Sequence, residues 1–471
     1  MNMIFRHDNV CRIPLRWMPA ALALCLALGT PAAFGQTAMP GDLDGNGAVD
    51  AADRLLMRHL LAENVSPGQV NAANADVNED GWISGIDGVW LWLLDPPYRG
   101  GLISSALVDS ISTIEAEFYL TFAGLGDLRP ARYAADMYKV TYRTMTPSGG
   151  ATTATGLLTL PAGRTGVLPL ASYQHGTITL KTEAPSNPAS TEGIGTALVY
   201  TSTGGYAAVA PDYLGLGDGP GSHPYLHAAT EASAGVDMLR AGRTAAAGHA
   251  VTLPGPLFLA GYSQGGHATM ALHRELEARF AAEWPLTAVA PMAGPYDLSG
   301  TMVDYVFSHL DTNNSQLVMY ISYLLVMFTT VYDFVPGVPE IFQSPYDAQV
   351  VGLFDGTHGS AEIQAALPPS IAQLLRPEFI AAVQTDPDHP FRVAAWLNDT
   401  YDWRPEAPLR MYHSAGDAVV PVGNAEVALA WMTGLGAPVE LVVVSQTLGH
   451  GEAAIPCLIQ SRQWFDTHLN R

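Results

Sequence analysis

The stretch that decides the fold lies in the middle of the chain and reads Leu257-Phe258-Leu259-Ala260-Gly261-Tyr262-Ser263-Gln264-Gly265-Gly266. Its first residues form a short apolar run, which indicates a buried strand, and a helical pattern follows from His267. Between them, Gly-Tyr-Ser-Gln-Gly has the form G-x-S-x-G, whose glycines permit a bend too tight for a Cβ atom. The pattern predicts a strand, a sharp turn that lifts the hydroxyl of Ser263 clear of the sheet, and a helix.

Length and composition limit the class of protein. The chain has 471 residues, of which 48% are hydrophobic and 14% are charged. It can therefore bury a large core and is long enough for more than one domain. The 44 acidic and 22 basic residues give a formal net charge of -22. Because a surface of that sign repels phosphate, the composition argues against a nucleic-acid partner.

Residues 1–35 have the features of an export signal. Three arginines lead into a short apolar run over residues 18–28, and a small-x-small cleavage site ends at Gly35. The run is too short to span a bilayer, so we expect no transmembrane anchor and a secreted protein, either periplasmic or extracellular. Cleavage removes Cys11 and Cys25 and leaves Cys457, which excludes an intramolecular disulfide. The role of Cys457 stays open.

An internal repeat follows the signal. Residues 42–53 and 76–87 both read D-x-[DN]-x-[DN]-G-x-[VI]-x-x-x-D, and a helical pattern follows each of them. Oxygen ligands at positions 1, 3, 5 and 12 of such a loop surround a hard cation, and the glycine at position 6 makes the sharp turn. The repeat predicts two calcium sites, with these ligands: Asp42, Asp44, Asn46, Asp50, Asp53, Asp76, Asn78, Asp80, Ser84 and Asp87.

The repeat resembles a dockerin, in which two calcium loops are each followed by a helix and aspartate stands at position 12. The resemblance covers residues 41–95 and implies a small all-α module with a double calcium loop. It also implies a cohesin-like protein as a candidate partner. Cohesin-binding dockerins usually have a Ser-Thr-like polar pair at positions 10 and 11, where this chain has Ala51-Ala52 and Gly85-Ile86. The cohesin partner therefore stays open.

The remainder of the chain reads as an α/β domain. A Pro/Gly-rich breaker gives a linker at residues 96–104, and from residue 105 to 471 strand and helix patterns alternate. The serine strand is the fifth that we predict. The predicted strands are 135–143, 155–160, 167–173, 207–211, 257–262, 286–292, 409–413 and 439–444, and the predicted helices include 230–248, 267–282, 423–432 and 452–469.

The alternation stops after residue 292, and a helical insertion is predicted at about 296–404. Residues 317–331 within it are nearly all apolar. The length of this run is wrong for a membrane span, so we interpret it as a buried core helix. The insertion precedes the last two strands, where a helical cap would cover the serine. An apolar cap of this kind would suit an acyl chain.

A serine hydroxyl is a poor nucleophile without a base and a group that orients the base. Asp417 follows the strand 409–413 in a G-D-x-x-V-P sequence, and His450 follows the strand 439–444 between two glycines. We therefore predict Ser263 as nucleophile, His450 as general base and then acid, and Asp417 as the orienting carboxylate. Asp297, which also follows a strand, is the alternative acid.

The oxyanion hole requires two preorganised N–H donors. We predict that the backbone N–H of Gln264, the residue after the nucleophile, is one of them. The other is expected from the loop after the third predicted strand, which has the sequence Tyr-Gln-His-Gly-Thr. Thr177 is our first choice there and Gly176 the second. The side chain of His175 is expected to hold the loop.

With these residues in view, the chain from about residue 105 resembles the secretory lipase and esterase branch of the α/β-hydrolases. The matching motifs are Tyr-Gln-His-Gly-Thr, Pro-Asp-Tyr-Leu-Gly-Leu-Gly, Gly-Tyr-Ser-Gln-Gly-Gly and Gly-Asp-x-x-Val-Pro. The resemblance implies an α/β-hydrolase fold, with a mostly parallel sheet and a helical cap insertion. It also implies hydrolysis of carboxylic esters through an acyl-enzyme on Ser263, with no metal in the chemistry.

Three alternatives remain at this stage. A dockerin often accompanies enzymes that degrade plant polysaccharides, so a cell-wall carbohydrate esterase is one of them. A peptidase of the same fold is the second, and it would need carboxylates in the cap to hold an ammonium group. The third is a non-catalytic, dockerin-bearing scaffold component. The candidate carboxylates for a peptidase are Asp311, Asp333, Asp347 and Asp355.

Removal of calcium is expected to unfold residues 41–95 and to leave the hydrolase activity implied by the resemblance largely intact, because only the loops depend on the ion. Limited proteolysis and ester hydrolysis, each measured with and without a chelator, check this. In the absence of chelator, an Asp44→Ala, Asp80→Ala double variant should show the same proteolysis and the same ester hydrolysis as the parent protein shows in the presence of chelator. Simultaneous loss of module and activity would mean that the two parts are coupled.

Overall fold

The computed structural model describes residues 98–469. By its internal contacts the chain divides into two units, Met1–Leu94 and Asp95–Arg471, and all described residues belong to the second. The predicted export signal and the predicted calcium ligands from Asp42 to Asp87 lie outside the described residues.

A nine-stranded sheet forms the centre of the described unit. Its strand order is β1-β2-β3-β6-β5-β8-β9-β10-β11, and β4 and β7 form a separate two-stranded sheet. In chain order the strands are β1 (Leu102–Ile111), β2 (Ala135–Met145), β3 (Ala151–Pro161), β4 (Gly166–Val167), β5 (Leu170–Gln174), β6 (Ala207–Pro211), β7 (Val251–Thr252), β8 (Leu257–Tyr262), β9 (Leu286–Met292), β10 (Leu409–Ser414) and β11 (Val439–Ser445).

The central sheet is antiparallel at one end and parallel through the rest. β1, β2, β3 and β6 pair antiparallel in turn, whereas β6, β5, β8, β9, β10 and β11 are all parallel. β8 pairs with β5 so that Gly261 lies opposite Gln174. Because the carboxyl ends of parallel strands meet at one edge, the loops after β5, β8, β10 and β11 emerge together there.

Helices cover both faces of the sheet and build the cap. In chain order they are α1 (Thr113–Phe122), α2 (Thr191–Thr196), α3 (Ala228–Ala247), α4 (Gln264–Arg279), α5 (Val303–Ser308), α6 (Ser315–Tyr332), α7 (Tyr346–Leu353), α8 (Ser360–Ala366), α9 (Ile371–Leu374), α10 (Pro377–Thr385), α11 (Pro390–Trp396), α12 (Gly423–Gly434) and α13 (His450–Thr467).

The serine strand β8 is buried on both faces, which explains its continuous apolar run. Its side chains alternate between two clusters of the core. Leu257 and Leu259 pack with residues of α3 and α4, whereas Phe258 and Ala260 pack with residues of α1 and α13. A strand of this kind between two helical layers holds its carboxyl end firmly in place.

The predicted strands agree with the observed ones except near the start of the domain. The edge strand β1 was not predicted, because most of its residues are exposed and its apolar residues do not alternate with polar ones. The serine strand is therefore sixth, not fifth, in the central sheet, and the last three residues of the predicted linker 96–104 belong to β1. The predicted strand 167–173 is divided between β4 and β5, since Pro169 has no N–H to donate to a ladder.

Besides α3, which begins at Ala228 rather than at residue 230, two helices begin earlier than predicted. α4 begins at Gln264 rather than at His267, directly after the serine. α13 begins at His450, so this histidine is the first residue of a helix and not a loop residue. Gly449 precedes it, and its N–H donates to Oε2 of Glu452 at 3.1 Å. Both helix starts lie at the carboxyl edge of the sheet.

The insertion between β9 and β10 forms a helical cap with a hydrophobic core of its own. α6 crosses it, and the apolar residues 317–331 all belong to that helix. Within residues 98–469, α6 alone is long and apolar enough to cross a membrane, and 56% of that helix is buried inside the fold. This burial is consistent with a core helix.

The two ends of the cap are joined at its base. The Asp399 carboxylate accepts hydrogen bonds from the N–H and the hydroxyl of Ser299, at 3.0 and 2.5 Å. Next to it, the N–H of Thr400 donates to the carbonyl of Tyr296 at 2.9 Å. Burial raises the pKa of Asp399 to about 7, against the opposing effect of its bonds from Ser299. The cap therefore leaves and rejoins the sheet at neighbouring points.

Candidate active site

Ser263 lies at a sharp turn between β8 and α4. Its backbone has φ 62° and ψ -122°, a conformation that residues with a side chain seldom adopt. The N–H of Ser263 donates to the carbonyl of Met292 at 2.9 Å, which ties the turn to the end of β9. The strain is held in place by the packed strands, as is typical of functional sites. The turn has the geometry of a nucleophile elbow.

The glycines of the G-x-S-x-G sequence are required by contact between backbones. A Cβ on Gly265 would lie 1.9 Å from the carbonyl oxygen of Gln174, at the end of β5. A Cβ on Gly261 would lie 2.3 Å from the carbonyl oxygen of Gly265. Neither position can hold a larger residue unless the strands move apart. The contact brings the start of α4 against the loop that follows β5.

The structure brings the three predicted catalytic residues together. Oγ of Ser263 lies 2.8 Å from Nε2 of His450, and Nδ1 of His450 lies 2.6 Å from Oδ2 of Asp417. Ser263 follows β8, Asp417 follows β10, and His450 begins the helix after β11. Asp417 and His450 are buried, and the bond between Ser263 and His450 is part-buried. A hydroxyl, an imidazole and a carboxylate thus form a continuous hydrogen-bonded relay.

The environment of Asp417 favours its ionised form. Burial by itself would raise its pKa, but hydrogen bonds from His413, His450 and the backbone N–H of Val419 hold the pKa well below its usual range. Oδ1 accepts from the N–H groups of Val419 and Val420, at 2.9 Å each. The other oxygen, Oδ2, lies 2.6 Å from Nδ1 of His450 and 3.6 Å from Nε2 of His413. A carboxylate held in this way can orient the imidazole and stabilise its protonated form.

The loop of Asp417 and the loop of His450 are fixed to each other. The hydroxyl of Ser414 donates to the carbonyl of Leu448 at 2.6 Å, and the N–H of Ala415 donates to the carbonyl of Ser445 at 2.9 Å. A Cβ on Gly416 would lie 2.6 Å from the backbone of Thr447. The distance between carboxylate and imidazole therefore depends on backbone contacts as well as on the side chains.

Asp297, the alternative acid, is engaged elsewhere. Its two oxygens accept from the N–H groups of Gly300 and Thr301 at 3.0 and 2.8 Å, and from the hydroxyl of Thr301 at 2.6 Å. Asp297 therefore caps the first turn of the cap, Leu298–Met302. His450 pairs with Asp417 instead.

The predicted oxyanion donors lie around Ser263. Gln264 directly follows it at the start of α4, and a Cβ on Gly176 would lie 3.9 Å from Cβ of Ser263. In the described part of the chain, the N–H groups of Gln264, Gly176 and Thr177 have no hydrogen-bond partner. Such free donors beside a nucleophile suit a developing oxyanion. The hydroxyl of Thr177 forms a 2.8 Å hydrogen bond with that of Tyr225.

His175 supports the loop that contains Gly176. Its Nδ1 lies 2.7 Å from the carbonyl oxygen of Gly176, and its ring packs on Tyr213 with the centroids 4.3 Å apart. Burial lowers the pKa of His175 to about 4, so the ring is neutral at pH 7. Its position agrees with the predicted supporting role.

Comparison with known proteins gave two kinds of match. A type I dockerin domain matches residues 40–91. The crystal structure of a candidate hydrolase from Legionella pneumophila is 31% identical, with a TM-score of 0.74, and the match covers 79% of this chain and 98% of that one. A ligand-bound structure of LipA, a rice cell wall degrading esterase from Xanthomonas oryzae, is 30% identical, with a TM-score of 0.73 and coverage of 79% and 100%.

The chain belongs to this hydrolase family. It is a dockerin-bearing hydrolase of the lipase and esterase type, and its mostly parallel sheet with a helical cap is the fold of that family. Candida antarctica lipase A shares the fold at 17% identity and a TM-score of 0.56, with coverage of 81% of this chain and 87% of that one. No curated protein sequence matched the chain.

An apolar cavity of the hydrolase leads from Ser263 into the cap. Its walls come mainly from α5, α6, α10 and α11, and within residues 98–469 no charged side chain lines it. The polar groups at the lining belong to Ser263, Gln264 and two tyrosines. The lining residues are Tyr225, Leu226, Ser263, Gln264, Pro295, Leu298, Met302, Val303, Val306, Phe307, Leu317, Tyr320, Ile321, Leu324, Leu325, Leu375, Phe379, Ile380, Val383, Phe391, Ala395, Val419 and Val420.

Sequence reasoning missed a buried polar group behind the cavity. Glu231 of α3 accepts from the side-chain amide of Gln264 at 2.9 Å and pairs with Nδ1 of His267 at 2.6 Å. Glu231 and His267 have side-chain exposures of 1% and 0%. The available signals were a glutamate within an alanine-rich helix and the histidine that follows the two glycines of the elbow. Neither signal indicates that these residues meet.

Substitution of Gly265 by alanine is expected to abolish hydrolysis or to prevent folding, because the new Cβ would lie 1.9 Å from the Gln174 carbonyl. Ester turnover and the yield of soluble protein measure this effect. Gly434→Ala is the matched control, since nothing lies within 4 Å of a Cβ there and α12 ends at that residue. A Gly265→Ala protein with full activity would contradict the backbone contact described here.

Proposed function

We propose that the protein is a serine hydrolase that cleaves carboxylic esters through an acyl-enzyme on Ser263. The observation that carries this proposal is the relay from Ser263 through His450 to Asp417, with distances of 2.8 and 2.6 Å, at the mouth of an apolar cavity. Membership of a family of esterases and lipases supports the same chemistry.

The proposed mechanism assigns one role to each group. Nε2 of His450 removes the proton of Ser263 as Oγ attacks the ester carbonyl. The N–H groups of Gln264 and of Thr177 or Gly176 stabilise the oxyanion. His450 then gives the proton to the departing alcohol, and a water molecule, activated by the same imidazole, releases the acid. The lowered pKa of Asp417 keeps its carboxylate charged beside the imidazolium throughout.

We propose that the cavity holds the acyl chain of the ester. Its apolar walls can bury methylene groups, each of which contributes about 0.8 kcal/mol when removed from water. The same lining argues against the peptidase alternative, because a substrate ammonium group would lack a carboxylate partner. Asp311, Asp333, Asp347 and Asp355, the cap carboxylates considered from the sequence, do not line it.

A second candidate is an esterase that acts on cell-wall material. It is favoured by the 30% identity to LipA, which is described as a rice cell wall degrading esterase, and by the dockerin match. In this case the alcohol of the ester would belong to a carbohydrate, outside the acyl cavity. Hydrolysis of plant cell-wall esters, compared with p-nitrophenyl esters and triglycerides, distinguishes the two candidates.

The remaining assignments concern residues outside the described part of the chain. We propose that the dockerin binds two calcium ions through the predicted ligands from Asp42 to Asp87, and that it is the site for a protein partner such as a cohesin. We also propose that residues 1–35 direct secretion. The type I dockerin match supports the proposals on calcium and on secretion, because dockerins generally bind calcium and occur on exported enzymes.

Substitution of Ser263 by alanine is expected to lower kcat by several powers of ten, about 10⁴-fold or more, as in other serine triads. A fluorophosphonate should label the parent protein covalently on Ser263 and should fail to label the variant. Ser104→Ala, which removes an exposed serine of the edge strand β1, is expected to keep the label. Activity of Ser263→Ala within tenfold of the parent would contradict the mechanism, and absence of labelling in the parent would favour a non-catalytic protein.

Narrowing the cavity is expected to shorten the preferred acyl chain. Ile321→Trp should lower kcat/KM for p-nitrophenyl decanoate by about tenfold or more and leave the acetate ester nearly unchanged, because Ile321 lines the cavity and only the long chain reaches it. Val351→Trp is the control, since Val351 is 54% exposed and does not line the cavity. Equal losses on both esters would contradict the assignment of the cavity.

A further inference from the structure

The group behind the site consists of Glu231, Gln264 and His267, which we name the Glu231 clamp. Glu231 projects from α3, whereas Gln264 and His267 belong to the first turn of α4, directly after Ser263. Oε1 of Glu231 accepts from Nε2 of Gln264 at 2.9 Å, and Oε2 lies 2.6 Å from Nδ1 of His267. The catalytic relay uses none of the three side chains.

The side-chain amide of Gln264 is held by two acceptors. Besides Glu231, its Nε2 approaches Nε2 of His223 at 2.7 Å. The other ring nitrogen of His223 lies 3.0 Å from the carbonyl oxygen of Leu214, so it carries the proton of that ring. Burial, and to a smaller degree the nearby His175, lower the pKa of His223 to about 3. The ring is therefore neutral, and its Nε2 accepts a hydrogen bond. Both N–H bonds of the amide are therefore used, and its orientation is fixed.

His267 connects the clamp to the cap. Its Nε2 lies 2.7 Å from the carbonyl oxygen of Asn398, while its Nδ1 faces Glu231. Both ring nitrogens of His267 therefore face hydrogen-bond acceptors, a carboxylate oxygen on one side and a carbonyl oxygen on the other. The side chain of Asn398 bonds the hydroxyl of Tyr332 at 2.6 Å and accepts from the N–H of Ala228 at 2.8 Å.

Burial makes the clamp sensitive to the loss of any one member. Gln264, His267 and Glu231 are all at most 1% exposed, so a partner that is removed cannot be replaced by bulk water. A hydrogen bond to a charged group contributes more than a neutral one, and leaving a buried polar group unpaired is costly. Truncation of Glu231 would therefore remove one of the two bonds that orient the Gln264 amide and leave the bond to His223.

We propose that Glu231 is a positioning residue for the oxyanion hole, which acts by holding Gln264 so that its backbone N–H faces the reacting carbonyl oxygen. The proposal rests on the serine mechanism given above. The peptide N–H and the side chain of Gln264 share one Cα, so fixing the amide at two points limits rotation of the first turn of α4. The bond from His267 to Asn398 ties the same turn to the exit of the cap.

The test compares Glu231→Ala with the parent full-length chain on p-nitrophenyl butyrate. A misplaced oxyanion donor weakens binding of the transition state more than binding of the ester. We therefore expect kcat to fall by about 10- to 100-fold, less than the 10²–10³ seen when such a donor is removed, and KM to stay within about threefold. Glu231→Gln should restore kcat to within about fivefold, since its amide keeps an oxygen for Gln264 and an N–H for a neutral His267.

The control for burial is Glu275→Ala. Glu275 is another buried glutamate, 5% exposed, which lies further along α4 and pairs with Arg279 at 2.8 Å. This variant is expected to lose thermal stability and to keep the kcat of the parent. An unchanged kcat in Glu231→Ala, or a loss confined to KM, would overturn the proposal. The proposal would also be overturned if kcat fell as far in Glu231→Gln as in Glu231→Ala.

A second variant tests the proposal in the case that Glu231→Ala does not fold. Gln264→Met keeps the backbone N–H and the approximate length of the side chain but removes both amide bonds. Its kcat is expected to fall to a similar degree. Combined with Glu231→Ala, it should cause little further loss, because both changes act through one group. Full activity of Gln264→Met, or additive losses in the double variant, would overturn the proposal.

Ser263→Ala separates this proposal from the one on which it rests. If Ser263→Ala is inactive and the clamp variants are unaffected, only the clamp proposal fails. If Ser263→Ala remains active, the serine mechanism fails and the clamp proposal fails with it.

Discussion

The backbone contact between the elbow and β5 is the constraint on which the rest of the site depends. The α-carbon of Gly265 lies so near the Gln174 carbonyl that no side chain fits between them. The same contact places the end of β5, and with it the loop that contains Gly176, beside the serine turn. Ser263 and the candidate oxyanion donors therefore lie next to each other because two backbones are in contact.

The parallel half of the sheet brings Asp417 and His450 to the same edge as Ser263. Asp417 and His450 follow β10 and β11, which lie on the far side of β9 from the serine strand. The segments that contain them are joined by backbone contacts and by Ser414, which fix the carboxylate and the imidazole relative to each other. The backbone N–H groups of Val419 and Val420 donate hydrogen bonds to Oδ1 of Asp417, the oxygen that does not face His450. The charge is thus stabilised in advance of the reaction.

Polarity divides the surroundings of Ser263 into two regions. The cap side is apolar and has its own hydrophobic core, which suits the tail of an ester. The opposite side, beneath the first turn of α4, contains the buried carboxylate of Glu231, the imidazole of His267 and their hydrogen-bonded neighbours. Gln264 belongs to both regions, because it lines the cavity and is bonded by Glu231. This explains why a polar side chain is tolerated next to an apolar cavity.

Short-range patterns in the amino-acid sequence were enough to predict several parts of the fold and of the candidate site. The glycine spacing around Ser263, the strand ends before Asp417 and His450, and the regular aspartates of the dockerin are all local signals. Tertiary structure decided the rest. The exposed edge strand β1 lacks a regular alternation of apolar and polar residues, and only the observed hydrogen bonds excluded Asp297, the alternative acid, as the partner of His450. Glu231 and His267 lie on different helices, 36 residues apart, and are joined only when α3 packs against α4. Their role depends on burial and on distance, and neither quantity is encoded in residue type or spacing.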